Sequence, residues 1–206
     1  MSVTLVQHFL VNNFFLETIK AQDGKIFHLE YHQKRYEGVL SSLGITDFKK
    51  LQLFLNPPKQ GLFRCRVLYS SHSLEVTYHS YMKRSIKKLK LIYDNQLEYS
   101  QKHADRSQLD AHFAQKKEAD DILIVQNNLV TDTSIANIAL YDGKKWLTPK
   151  KPLLYGTTRA RLLENEEIFE ADIPVNELTK YTKVALLNAM IDFDIISEDK
   201  IKAIYC

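Results

Sequence analysis

Residues 15–35 read FLETIKAQDGKIFHLEYHQKR, and a change of apolar spacing within this stretch sets the fold of the first part of the chain. Two apolar runs lie on either side of Asp23-Gly24, a dipeptide that favours the two-residue turn of a β-hairpin. Beyond them, apolar residues recur at three- and four-residue steps from Leu29 to Leu43. This spacing predicts a helix that ends at Gly44.

The remaining pattern predicts an α+β fold in two domains. Three runs rich in β-branched and aromatic residues, GLFRCRVLYS, LEVTYHSY and IKKLKLIYD, favour strands in the first half, and the polar stretch 95–101 is typical of a linker. We therefore predict a small α/β domain over residues 1–95 and a second domain over 96–206. In the second domain, Asp105 is expected to cap a helix, short strands follow, and Gly156-Thr157-Thr158 opens a further helix.

Composition narrows the classes of function. The chain has 206 residues, 45% of them hydrophobic, and a formal net charge of +3, which favours neither nucleic acid nor an anionic membrane as partner. Its two cysteines, Cys65 and Cys206, do not form a disulfide framework and suit a reducing compartment. No apolar run reaches the length of a membrane span, so we expect a cytosolic protein.

Most catalytic templates are absent. The sequence has no Gly-x-Ser-x-Gly, no Gly-x-Gly-x-x-Gly and no Walker loop. His28 and His32 lack the frame of a metal site, and Asp120-Asp121 is predicted to be a solvated turn. What remains is Lys102 in YSQKHADRSQLD, and the stretch LLYGTTRARLL, whose small and hydroxylated residues at a helix start favour phosphate binding.

Five separated stretches, in order, resemble the class IV aminotransferases, the fold-type IV enzymes that use pyridoxal 5'-phosphate. They are FLETIKAQDGKIFHLEYHQKR, QKHADR, LVTDTSIANI, WLTP and LLYGTTRARLL, and together they extend from Phe15 to about Leu163. The resemblance implies a small α/β N-terminal domain and a larger C-terminal α/β pseudo-barrel. It also implies a homodimer and a cofactor cleft at the join between the two halves.

The resemblance implies cofactor-binding roles for several residues. Lys102 would bind the cofactor aldehyde covalently and later move protons, while Arg35, Thr157 and Thr158 would hold the phosphate. Asp132 stands where the family usually has a glutamate that pairs with the pyridine nitrogen. A carboxylate there keeps the nitrogen protonated, so that the ring can accept electrons. Because Asp is one methylene shorter than Glu, the ring would have to lie closer, or a water would have to bridge the gap.

Details of the resemblance favour one reaction. KHADR is closer to the Lys-His-x-Asn-Arg pattern of 4-amino-4-deoxychorismate lyases than to the pattern of branched-chain aminotransferases, which implies a folate-pathway lyase that forms 4-aminobenzoate and pyruvate. Thr18 would then protonate the leaving enol, or be an ordinary strand threonine. Arg106 would meet a substrate carboxylate, or serve its own helix. The resemblance also implies aminodeoxychorismate synthase as a possible partner.

Two alternatives stay open at this point. One is a class IV aminotransferase that acts on branched-chain or D-amino acids with 2-oxoglutarate as acceptor. The other is a degenerate family member without the cofactor, which the replacement of the usual glutamate by Asp132 and the short first half suggest.

Overall fold

The computed structural model describes residues 14–197 and 204–205, and the chain divides into two compact units. The first unit contains the described residues up to Ser80 together with Gln101–Asp105, and the second contains Tyr81–Ser100 and the residues from Arg106 onward. The predicted boundary between residues 95 and 96 therefore falls inside the second unit. Cys206 lies outside the described residues.

The first unit is built on a four-stranded antiparallel sheet in the order β2-β1-β3-β4. The predicted hairpin is confirmed: Asp23 and Gly24 have φ values of 49° and 77°, the left-handed conformation that a tight hairpin turn requires. The strands are β1 (Phe15–Gln22), β2 (Lys25–Ile26), β3 (Leu62–Tyr69) and β4 (Leu74–Ser80).

One helix, α1 (Leu29–Ser42), covers a face of this sheet, and a 3-10 helix (Leu51–Phe54) follows it. The helix ends just before Gly44, whose φ of +79° confirms the predicted terminator, because a residue with a Cβ rarely adopts that conformation. Apolar residues of the helix pack against alternate residues of the strands. The buried cluster includes Phe15, Ile19, Tyr36, Val39, Leu40, Leu51, Cys65, Val67 and Tyr69.

A short segment from the middle of the chain extends the first sheet. The backbone N–H of Leu16 donates to the carbonyl of Lys102 at 2.9 Å, and the N–H of Ala104 donates to the carbonyl of Phe14 at 2.8 Å. The ring of His103 stacks on Phe15, with 4.9 Å between the ring centroids. These contacts join Gln101–Asp105 to the edge of β1.

The second unit contains the larger sheet, which mixes parallel and antiparallel pairs in the order β10-β9-β8-β7-β6-β5-β13, with β11 paired to both β8 and β12. Asn127 and Asn128, both with positive φ, form the tight turn between β6 and β7. The strands are β5 (Leu89–Tyr93), β6 (Asp121–Gln126), β7 (Leu129–Thr133), β8 (Asn137–Tyr141), β9 (Trp146–Pro149), β10 (Phe169–Ala171), β11 (Lys183–Asn188), β12 (Asp192–Ser197) and β13 (Ile204–Tyr205).

Two sequence-based expectations are wrong in this part of the chain. The strand predicted in IKKLKLIYD, here β5, does not join the first sheet: it pairs in parallel with β6 and belongs to the second unit. The pair Asp120-Asp121 is not a solvated turn, because Asp121 is fully buried and Asp120 is half-buried. Asp121 begins the buried strand β6, and its carboxylate accepts hydrogen bonds from the backbone N–H groups of Ile122 and Ser134.

The helices of the second unit are short. The α2 helix (Ser107–Phe113) starts after Arg106, so the predicted cap at Asp105 is wrong by one residue, and α3 (Thr157–Glu164) follows Gly156 as predicted. Two 3-10 helices cover Ala114–Lys116 and Val175–Lys180. Sheets and helices together confirm the α+β class. In the described part of the chain, no helix has both the length and the apolar character needed to cross a membrane.

Candidate active site

Glu17 is a fully buried carboxylate in the first unit. It occupies the inward-facing register of β1 shared by Phe15, Ile19 and Ala21, and so faces helix α1. Arg35 donates two hydrogen bonds to Glu17, from Nε to Oε1 at 2.8 Å and from Nη2 to Oε2 at 2.6 Å. The Nδ1 atom of His32 lies 2.6 Å from Oε2. A bidentate pair of this kind fixes the plane of the guanidinium group.

The charges in this cluster follow from its burial. Burial alone would raise the pKa of Glu17, but the charge of Arg35 and the hydrogen bonds from His32 and Arg35 outweigh it and lower that pKa to about 2. Burial lowers the pKa of His32, and the nearby positive charges of Arg35 and Lys102 act in the same direction. His32 is therefore a neutral imidazole whose Nδ1–H donates to a charged Glu17.

Lys102 lies beside this cluster. The backbone bonds that join Gln101–Asp105 to β1 place Lys102 next to Leu16, and its side chain is half-buried. Its charge reaches far enough to disfavour a proton on His32. The structure thus brings together two of the predicted site residues, Lys102 and Arg35, around a carboxylate that the sequence reasoning did not assign.

Two further predicted residues lie elsewhere. Thr18 is half-exposed on the face of the sheet opposite to Glu17, and its register partner in β3 is Arg66. Arg106 belongs to the second unit, where its Nη2 atom donates to the carbonyl of Ser134 at 2.9 Å. The proposed roles of Thr18 in protonation and of Arg106 in substrate binding stay predictions.

Asp132 is the centre of a second cluster, within the second unit. It lies in β7 with only 4% of its surface exposed. The Nδ2 atom of Asn137 donates to its Oδ1 at 2.8 Å, and the backbone N–H of Leu154 donates to its Oδ2 at 2.8 Å. Burial raises the pKa of Asp132 to about 7, and these hydrogen bonds only partly oppose it. The carboxyl group can therefore gain or lose a proton near neutral pH.

The N-terminus of α3 follows Leu154 along the chain. Thr157 and Thr158, its first two residues, are buried, and neither hydroxyl makes a hydrogen bond to another residue within the described chain. Backbone N–H groups at a helix start are available to an anion, and the helix dipole favours one. Two hydroxyls, a helix N-terminus and the nearby carboxyl of Asp132 are a donor and acceptor set that fits the phosphate and ring nitrogen of pyridoxal 5'-phosphate.

Sequence reasoning missed Glu17 and Asn137. The signal for Glu17 was visible, because a charged residue stands among apolar ones in the buried register of β1. Asn137 was noted only as a marker of the motif, since a single sequence does not show that its side chain contacts both Asp132 and the loop before α3.

Comparisons with known proteins agree with these features. Residues 15–198 match the model of the family described as amino-transferase class IV. A solved structure named "putative 4-amino-4-deoxychorismate lyase" from Haemophilus somnus 129PT is 33% identical, with a TM-score of 0.81, and the match covers 87% of this chain and 97% of that one. A Schizosaccharomyces pombe protein named "Putative aminodeoxychorismate lyase" is 29% identical over 78% of this chain and 77% of its own length.

A more distant structure shares the fold. A hypothetical aminotransferase from Mycobacterium tuberculosis, solved in its form with bound pyridoxal 5'-phosphate, is 15% identical with a TM-score of 0.73, over 91% of this chain and 83% of that one. The fold-type IV architecture expected from the sequence is thus confirmed. The chain belongs to the class IV aminotransferase family, whose members are pyridoxal 5'-phosphate-dependent lyases and aminotransferases.

Proposed function

We propose that this protein is a pyridoxal 5'-phosphate-dependent lyase that eliminates pyruvate from 4-amino-4-deoxychorismate and leaves 4-aminobenzoate. The observation that carries the proposal is the position of Lys102, held against β1 beside the buried cluster of Glu17, His32 and Arg35. Two relatives named as lyases, and the Lys-His-x-x-Arg spacing in KHADR, support the lyase over other reactions of the family.

The chain's own residues fit the binding of the cofactor. When bound, pyridoxal 5'-phosphate supplies an aldehyde that takes up a primary amine and a protonated pyridine ring that accepts an electron pair. The N-terminus of α3, with Thr157 and Thr158, would hold the phosphate. Arg35, whose guanidinium plane Glu17 fixes, is a further proposed phosphate ligand on the family resemblance alone. Asp132 would pair with the ring nitrogen.

Lys102 would carry the proton transfer. We propose that its amine would hold the cofactor through the aldehyde and would be free to act as a base once the substrate amine is bound. Lys102 then removes the proton from the substrate carbon that bears that amine. The electron pair of this C–H bond forms the aromatic ring as the enolpyruvyl C–O bond breaks, and the departing enol gains a proton at its methylene carbon to become pyruvate. Thr18 is the proposed donor of that proton.

One experiment separates the reactions that the family performs. The purified protein is given 4-amino-4-deoxychorismate, and pyruvate and 4-aminobenzoate are measured. A second sample receives a branched-chain or D-amino acid with 2-oxoglutarate, and glutamate is measured. We expect the first pair of products only. Glutamate without pyruvate would show an aminotransferase. The absence of both products would refute both reactions.

Attachment of the cofactor is tested independently of turnover. Borohydride reduction of the yellow protein followed by peptide mapping should label Lys102, and Lys102→Ala should lose both the label and the visible absorbance. Lys90→Ala, which removes a lysine from β5, is the matched control and should keep both. A wild-type protein that takes up no pyridoxal 5'-phosphate would instead be a degenerate member of the family.

The assembly is also a proposal. We propose a homodimer, in keeping with what the family resemblance implies, and a possible association with aminodeoxychorismate synthase, which would supply the substrate. Size-exclusion chromatography with light scattering should give twice the chain mass of 24.0 kDa. A single-chain mass at micromolar concentration would refute the dimer.

A further inference from the structure

Asn137 connects Asp132 with the loop that precedes α3. Its side chain, in a residue only 5% exposed, donates from Nδ2 to Oδ1 of Asp132 and to the carbonyl of Leu154, both at 2.8 Å. The backbone N–H of Leu154 in turn donates to Oδ2 of Asp132 at 2.8 Å. Three hydrogen bonds thus tie a buried carboxyl group to the loop that leads into α3.

Gly156 closes this network from the other side. A Cβ atom added at Gly156 would lie 2.0 Å from Oδ1 of Asn137, and the three nearest atoms it would meet all belong to that side chain. The backbone at Gly156 has φ −71° and ψ 146°, which any residue can adopt. The glycine is therefore required by the close approach of Asn137 and not by its own conformation.

We propose that Asn137 is a positioning residue that fixes the distance and orientation between the carboxyl group of Asp132 and the N-terminus of α3. This inference rests on the proposed function, in which Asp132 meets the ring nitrogen of the cofactor and α3 meets its phosphate. These two groups of the cofactor are joined by a rigid ring and a short methylene arm, so both contacts form only if the protein holds its two ends at a matching spacing.

The short side chain of Asp132 makes this spacing more demanding. An aspartate has one methylene less than the family's usual glutamate, so its carboxyl group has less freedom to find the ring nitrogen. Asn137 and Leu154 engage both of its oxygen atoms and hold the carboxyl in one orientation. A misplacement of about 1 Å in a site of this kind can lower the reaction rate about 100-fold.

Four variants test the proposal. Asn137→Ala removes both donated hydrogen bonds. Gly156→Ala leaves Asn137 in the sequence but displaces its side chain. In the double variant the alanine at 156 no longer meets the asparagine, so the two changes should not add. The matched control is Asn176→Ala, an exposed asparagine of the same unit. If Asn137→Ala does not fold, Asn137→Ser, which keeps one small donor, replaces it.

Two readouts distinguish positioning from a merely structural role. The first is the dissociation constant for pyridoxal 5'-phosphate, with thermal unfolding of each apo-variant measured alongside. The second is the ¹⁵N chemical shift of the bound pyridine nitrogen, which reports its protonation. We expect Asn137→Ala and Gly156→Ala each to weaken binding about ten- to a hundredfold and to lower the protonated fraction of the nitrogen. The double variant should equal Asn137→Ala, and Asn176→Ala should match the wild type.

The outcomes separate the inference from the proposed function. A wild-type protein that binds no pyridoxal 5'-phosphate overturns the proposed function and this inference with it. A wild-type protein that binds the cofactor, with Asn137→Ala equal to it in affinity and in ¹⁵N shift, overturns the inference alone. Additive losses from Asn137→Ala and Gly156→Ala overturn it as well, because they would show that the two residues act independently.

Discussion

Replacement of Glu17 by glutamine should destabilise the protein strongly, because it removes the charge from a fully buried ion pair. The pKa of Glu17 falls from 4.5 to about 2, and each pKa unit corresponds to about 1.4 kcal/mol, so the charged form contributes about 3 kcal/mol at neutral pH. Removal of one partner from a buried pair costs about 3–5 kcal/mol, which agrees. We expect Glu17→Gln to lose about 3 kcal/mol of unfolding free energy at pH 7.

The loss should depend on pH in a defined direction. A carboxyl group whose pKa is lower in the folded state contributes its full stability above the unfolded pKa of 4.5, and loses it as pH falls towards about 2. At pH 3.5, one pH unit below 4.5, about 1 kcal/mol of this contribution is gone from the wild-type protein. Glu17→Gln has no such group to lose, so the gap between the two proteins should narrow by about that amount.

Urea unfolding at pH 7 and pH 3.5, extrapolated to water at equal protein concentration, measures both effects. Glu30→Gln removes the same charge from an exposed position of α1, the helix that Glu17 faces, and should change stability by less than about 0.5 kcal/mol. If Glu17→Gln is as stable as this control, or if the gap is the same at both pH values, then Glu17 does not act as a buried counter-ion to Arg35.

Three further predictions concern other parts of the molecule. Asp132→Asn should lower turnover at least about 100-fold while the far-UV circular dichroism spectrum stays unchanged, because an amide cannot keep the ring nitrogen protonated. Because burial raises the pKa of Asp132 to about 7, a ¹³C NMR titration of its carboxyl carbon in the apoprotein should show a midpoint near that value. The stability that this group contributes should decrease as pH rises from about 4 to about 7, since the folded protein retains a proton that the unfolded chain has released. Gly44→Ala should cost about 1 kcal/mol in thermal or urea unfolding, because φ is +79° there and the surrounding space is open, so only backbone strain contributes.

Local patterns allowed much of the fold to be predicted. The turn at Asp23-Gly24 and the helix stop at Gly44 follow from the few residues that tolerate positive φ, and a short window of sequence contains that information. No such short window tells which sheet β5 joins. Its partner β6 begins at Asp121, so the pairing depends on contacts between distant parts of the chain.

The candidate site likewise has residues that the sequence predicts and contacts that only the structure shows. Lys102, Arg35 and Asp132 could be predicted as site residues because short motifs carry them in a fixed order. The bidentate contact of Arg35 with Glu17 and the contact of Asn137 with Gly156 join residues that are 18 and 19 positions apart, and neither contact has a spacing rule. Such pairs become visible only when backbone geometry brings their atoms together.

The first unit includes the segment Gln101–Asp105, which lies within the sequence of the second unit, and this affects how the gene can be divided. A fragment that ends at Ser80 would retain the first sheet, but it would lack Gln101–Asp105, whose Lys102 and Ala104 bond to Leu16 and Phe14. It would also lack the amine of Lys102, on which the proposed chemistry depends. No single cut can therefore separate the two units intact. Chimaeras with related enzymes should exchange Gln101–Asp105 together with the N-terminal sheet, as one inherited block made from two pieces of sequence.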